Sequence, residues 1–131
     1  MLSVVLLVGN SLNFCLKHLI QRGRPVFDDP LFSLPTYSFP SGHAMASTVF
    51  YGMLAIYVSV NARQRYTAHV AIGAAVLMVA LVSFSRVYLG LHYVSDVMGG
   101  LSEGIAWLAL SVIAWHHRRR REAGLGVNAD S

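Results

Sequence analysis

The sequence predicts an all-α integral membrane protein, a helical bundle of about four transmembrane helices, and three observations carry that reading. The chain is 55% hydrophobic and only 12% charged, against roughly a quarter charged in an average soluble domain. Its mean hydropathy is +0.53. The apolar residues are also clustered, with no Asp, Glu, Lys or Arg from Met1 to Leu16, from Pro30 to Ala62 or from Tyr66 to Ser85. Uncharged stretches of that length are what the hydrocarbon core of a bilayer asks of a spanning helix.

The first helix is expected from about Leu2 to Ile20, apolar as far as Leu16 and basic at Lys17, so that its C-terminal end reaches the interface. Met1 to Leu16 lacks the positive start and small-residue cleavage site of a signal peptide and is read as a retained helix. Residues 21 to 42 form a loop, since Pro25, Pro30, Pro35 and Pro40 lie there with Asp28 and Asp29 and proline removes the backbone donor a helix needs. The second span is expected from about Gly42 to Val60, the third from about Ala68 to Phe84 and the fourth from about Asp96 to Trp115. Asn61 to Thr67 is a polar turn, and Arg86 to Tyr93 links the third span to the fourth. Residues 1 to 117 thus make one transmembrane domain. Residues 118 to 131 make a cytoplasmic tail, basic and then flexible, disordered beyond Glu122.

A net charge of +4 and a pI near 9.6 do not point to nucleic acid, because Arg118 to Arg121 form a single run beside a hydrophobic segment and no basic stripe alternates with aromatics. Such a run is a topology anchor. Arg63, Arg65 and Arg118 to Arg121 outnumber Lys17, Arg22, Arg24 and Arg86 on the opposite side, which places the tail in the cytoplasm. One cysteine, Cys15, excludes an intrachain disulfide and a cysteine zinc site.

On the non-cytoplasmic side, antiparallel spans bring three short segments to one membrane face. These are Lys17 with Arg24-Pro25, Pro40-Ser41-Gly42-His43, and Ser85-Arg86 with His92 and Asp96. The second segment opens a helix, whose early N–H groups and positive dipole end favour an anion. Ser41 can cap that helix or donate its hydroxyl to a phosphate oxygen, and Gly42 lets the backbone approach closely. Lys17, Arg24 and Arg86 can neutralise phosphate charge, the arginines in bidentate fashion. If the fourth helix begins near His92, Asp96 lies one turn on. It could then accept a hydrogen bond from one ring nitrogen and leave the other free to attack phosphorus. His43 can protonate the leaving oxygen. There is no cluster of metal ligands and no cofactor signature, so the cations are expected to do the electrostatic work.

Lys17-x6-Arg24-Pro25, Pro40-Ser41-Gly42-His43 and Ser85-Arg86-x5-His92-x3-Asp96 resemble, in order, the three motifs of the type 2 phosphatidic acid phosphatase superfamily. The stretch Tyr88 to Val97 is similar to that of the bacterial membrane members, and the likeness covers roughly Leu12 to Gly104. The resemblance implies a phosphohistidine mechanism with His92 as nucleophile, His43 as general acid and Asp96 as orienting carboxylate. It implies Lys17, Arg24, Ser41, Gly42 and Arg86 as phosphate binders. It also implies a lipid phosphate or diphosphate substrate (phosphatidic acid, phosphatidylglycerophosphate or an isoprenyl diphosphate) and a place in the bacterial inner membrane with the site outside the cytoplasm. Membrane members usually carry six spans with the first motif after the third. The chain therefore reads as part of a six-helix core lacking two N-terminal helices, which a homo-oligomer could cover. The alternative from another class is a catalytically weak membrane fragment with a structural or lipid-binding role.

Other polar residues take plainer readings. Arg22 is read as an interfacial anchor or headgroup contact. Glu103, a charge inside a span, is expected to pair with a basic group or line the cavity, seven residues beyond Asp96 on the same helix face. Gly100-x3-Gly104 is read as a close helix contact, and Phe39, Tyr88 and Tyr93 as interface or site-wall residues.

Overall fold

The computed structural model describes residues 2–25 and 36–127, with side chains as far as residue 120. Asp28, Asp29, Pro30 and Pro35 of the loop and Asn128 to Ser131 of the tail lie outside the described residues. Among the described residues there are four helices: α1 (Leu2–Ile20), α2 (Gly42–Asn61), α3 (Arg65–Tyr88) and α4 (Val94–Val127). All four are long and apolar enough to cross a membrane. The chain is an integral membrane protein built only of helices among the described residues, as the hydropathy pattern requires.

Two boundaries differ from expectation. Helix α3 continues through Ser85 and Arg86 to Tyr88, so these residues sit on the helix end and not in a linker. Helix α4 runs through the basic segment to Val127, past both Trp115 and Glu122. Arg, Glu and Ala are strong helix formers and no proline interrupts them, so the helix outlasts the hydrophobic stretch that marks its span.

Helix α2 is central and packs against α1, α3 and α4. Its buried face carries Ala44, Met45, Ser47, Thr48, Val49 and Ala55. Outward positions such as Leu7, Phe14, Val76, Leu81 and Ile105 are exposed, as lipid-facing residues should be. With no water to exclude between helices in a bilayer, close packing must hold the bundle. The α2–α4 contact shows how. A Cβ on Gly100 would run into the Ser41 carbonyl oxygen, and one on Gly104 would lie 2.7 Å from Thr48 Cβ and 2.9 Å from the Met45 carbonyl oxygen. Small residues four apart thus let α4 lie against the backbone of α2. Across the bundle, Trp107 Nε1 donates to the Val5 carbonyl at 2.8 Å and ties α4 to α1.

Gly100→Leu should prevent assembly, at a cost beyond the ~1–3 kcal/mol of ordinary overpacking, because the obstacle is backbone. Gly73→Leu, which meets only open space, should be tolerated. Thermal unfolding of the two variants in one detergent checks the contrast, and equal melting temperatures would contradict this packing.

Candidate active site

The antiparallel arrangement gathers the C-terminal ends of α1 and α3 with the N-terminal ends of α2 and α4. Local chain chemistry then aims each segment inward. At the end of α3, Gly90 takes the left-handed conformation (φ 67°). Its N–H donates to the Val87 carbonyl at 2.9 Å, and that of Leu91 to the Arg86 carbonyl at 3.1 Å. This is a Schellman ending, a turn for which glycine carries no steric penalty, and it folds the chain back so that His92 enters the site. At the end of α1, Gln21 also has positive φ (52°), which redirects the chain carrying Arg22 and Arg24. The Ser41 N–H donates to the Asp96 carbonyl oxygen at 2.9 Å, joining the starts of α2 and α4.

The result is a cavity of about 380 Å³ whose wall includes Lys17, Arg24, Gly42, His43, Arg86 and His92. Lys17 Nζ donates to the Tyr37 carbonyl oxygen at 2.9 Å. Arg24 is braced at three nitrogens, with Nε on the Thr36 carbonyl at 2.7 Å, Nη2 on Thr36 Oγ1 at 2.8 Å and Nη1 on the Leu91 carbonyl at 2.8 Å. Arg86 places Nε on Ser85 Oγ at 3.2 Å. His43 is exposed on the first turn of α2, where a leaving group could reach it.

His92 is 5% exposed. Burial, and then the positive charges of Arg24 and Lys17, press its pKa down to about 4 against the opposing pull of Asp96 and of the Ser38 backbone. The imidazole is therefore neutral at pH 7, with a lone pair available.

Two predicted residues stand behind the wall. Ser41 is fully buried. It occupies the N-cap position of α2 without a side-chain cap bond, and its hydroxyl has no partner among the described residues. Asp96 is also fully buried, but the hydrogen bond expected from His92 is not formed, since Nδ1 lies 3.6 Å from Oδ2. The reason is that α4 begins at Val94, so His92 precedes the helix and Asp96 is its third residue. From there Oδ2 reaches back to the Tyr93 N–H at 2.9 Å, the carboxylate half of a capping box. The Ser38 hydroxyl bonds the same oxygen. Arg22, read from the sequence as an interfacial anchor or headgroup contact, also reaches inward: its Nη1 lies 2.8 Å from Asp96 Oδ1.

Sequence reasoning missed Asn10, Thr36 and Leu91 on the wall and Asn13 beneath it. Asn13 is 3% exposed and donates to Glu103 Oε2 at 2.7 Å, so Glu103 pairs with an amide and not with a cation. Glu103 Oε1 has no partner among the described residues. The signal was present in part, because Asn10, Asn13 and Lys17 recur at helical spacing along one face of an apolar helix. Phe39 packs against Gly99, where a Cβ would lie 2.6 Å from its ring.

A family profile described as the PAP2 superfamily matches residues 1–121. The chain is 43% identical over 96 residues to phosphatidylglycerophosphatase B of Bacillus subtilis, which spans 72% of this chain and 46% of that protein. It is 31% identical over 107 residues to lipid phosphate phosphatase delta of Arabidopsis thaliana, 73% of this chain and 26% of that protein. A crystal structure of a transmembrane PAP2-type phosphatidylglycerolphosphate phosphatase from Bacillus subtilis superposes with a TM-score of 0.80 at 34% identity, covering 89% of this chain and 58% of that one. The chain therefore spans about half the length of its bacterial relatives, and less of the plant protein.

Proposed function

The chain belongs to the PAP2 superfamily, and from that premise we propose that it hydrolyses a lipid phosphate or diphosphate at the cavity described above. The observation that carries this reading is the grouping of Lys17, Arg24 and Arg86 around His92 and His43 in one cavity at the ends of membrane-spanning helices. Such a site takes a phosphate headgroup while the lipid tail stays in the bilayer. Phosphatidylglycerophosphate is the first substrate to test, because the Bacillus relative and the superposed Bacillus structure are both named for its phosphatase. Phosphatidic acid and an isoprenyl diphosphate follow. Purified protein in detergent micelles should release inorganic phosphate from at least one of these lipids. No release from any of them would overturn the proposal.

In the mechanism we favour, His92 attacks phosphorus through the ring nitrogen turned away from Asp96. The bond from phosphorus to the lipid oxygen breaks, its electron pair goes to that oxygen, and His43 supplies the proton. Water then attacks the phosphohistidine with His43 as base, releasing inorganic phosphate and restoring His92. Lys17 and the two arginines hold the non-bridging oxygens as charge redistributes. The N-terminal N–H groups of α2 add their dipole.

Because the neutral imidazole is the reactive form, activity is retained above the His92 pKa and lost as pH falls through it. With the ionisation of the substrate phosphate factored out, the acid limb of kcat/KM should lie near pH 4. A limb near the ordinary histidine value of about 6.5 would contradict a buried, cation-flanked nucleophile.

The charge distribution supports a site on the non-cytoplasmic face, in a bacterial plasma membrane for a chain this close to a Bacillus protein. Arg63 and Arg65 lie in or beside the α2–α3 turn, and Arg119 borders a second cavity with Leu2 and Asn61 at the end remote from His92. These arginines mark the cytoplasmic end. A reporter fused after residue 127 should be cytoplasmic, and a periplasmic reporter signal would reverse the orientation.

A further inference from the structure

Arg22 is held on three sides. Its Nη1 lies 2.8 Å from Asp96 Oδ1 and 2.7 Å from Ser95 Oγ, and its guanidinium carbon stands 4.5 Å from the centroid of the Tyr93 ring. It also acts through its backbone, since its carbonyl oxygen accepts the Ser38 N–H at 2.8 Å and the Ser38 hydroxyl bonds Asp96 Oδ2. One residue thus fixes both carboxylate oxygens, the first directly and the second through Ser38. Arg22 is not on the cavity wall, so it does not share the position of Lys17, Arg24 and Arg86.

We propose that Arg22 is a positioning residue of the reaction, holding the Asp96 carboxylate in place behind His92, 3.6 Å from Nδ1, so that the imidazole gains the carboxylate as partner only when its ring becomes positive. This rests on the catalytic reading of His92 and Asp96 given above. In the resting site, Asp96 Oδ1 is taken by Arg22, and Oδ2 by the Ser38 hydroxyl and the Tyr93 N–H. His92 Nδ1 stands off at 3.6 Å without a partner among the described residues. A buried carboxylate that loses its cation is strongly destabilised and favours a new positive partner beside it. Here that partner would be a protonated His92, an imidazolium whose attacking nitrogen has no lone pair. Lys17 and Arg24 oppose such protonation from the cavity side, where His43 and Arg86 also stand. Arg22 opposes it from behind by occupying Asp96.

The test is a kinetic cycle in the full chain with Arg22→Ala, Arg22→Lys, Asp96→Asn and the Arg22→Ala/Asp96→Asn double variant, each assayed on a lipid phosphate that the wild type hydrolyses. Arg22→Ala should lower kcat by about 10- to 100-fold, the range for partners that orient a reacting group, with KM nearly unchanged. It should also raise the acid limb of kcat/KM by about 1 pH unit or more. Arg22→Lys should recover part of kcat, because a lysine keeps the charge without the fork. Once Asp96→Asn is present, Arg22→Ala should cost little more, since coupled residues are not additive. Full kcat in Arg22→Ala, or a rise in KM alone, would overturn the proposal while leaving the catalytic reading intact. Equal losses from Arg22→Ala with and without Asp96→Asn would do the same. Wild-type activity in Asp96→Asn would overturn both.

Discussion

Replacing His92 with Ala should lower kcat on the order of 10⁵- to 10⁶-fold, the scale on which removal of a covalent nucleophile acts. The residue sits in the turn between Gly90 and Val94, and its side chain caps neither helix. The variant should therefore keep its fold, and an unchanged melting temperature in detergent separates lost chemistry from lost structure. The cations of the wall remain in His92→Ala, so phosphate should still bind and compete with added lipid. Near wild-type turnover would remove His92 from the nucleophile's role.

His43→Ala should lose about 10²- to 10⁴-fold, the usual contribution of a general acid or base, and the size of the loss should depend on the leaving group. A lipid alkoxide is strongly basic and needs a proton as the bond to phosphorus breaks. An aryl phosphate such as p-nitrophenyl phosphate leaves without one. His43 is exposed at the start of α2 and shares the cavity with His92, a position from which it can deliver that proton. The deficit should be large with the lipid and small with the aryl ester. Equal deficits with both would point to a role for His43 in binding phosphate.

The bundle was legible because membrane insertion forces a simple code, in which long uncharged stretches become helices and prolines become turns. The limits of α1 follow from that code directly, and those of α4 do not, because a helix of Arg and Glu continues into water where hydropathy stops reporting it. The cavity was legible from three motifs whose antiparallel spans could meet at only one membrane face, and Lys17, Arg24, Gly42, His43, Arg86 and His92 meet there. What failed was the pairing behind them. Four-residue spacing between His92 and Asp96 suggested one helical turn, but Gly90 ends α3 with a Schellman turn and α4 begins only at Val94, so Asp96 caps its own helix. In sequence Arg22 is one more interfacial arginine, the residue type that usually anchors a span, and its partner lies 74 residues away. Asn13 and Glu103 are 90 residues apart, and they meet only in the folded bundle, where α1 and α4 both pack against α2 and touch each other.

Trapping the reaction covalently decides between this mechanism and direct attack by water. Wild-type protein mixed with a lipid substrate labelled in its phosphate, quenched within one turnover and digested, should yield label on the peptide containing His92. The label should be labile to acid and stable to base, as a phosphohistidine is, and it should be absent from His92→Ala. Full turnover with no protein-bound label at any quench time, or label on a residue other than His92, would contradict the account.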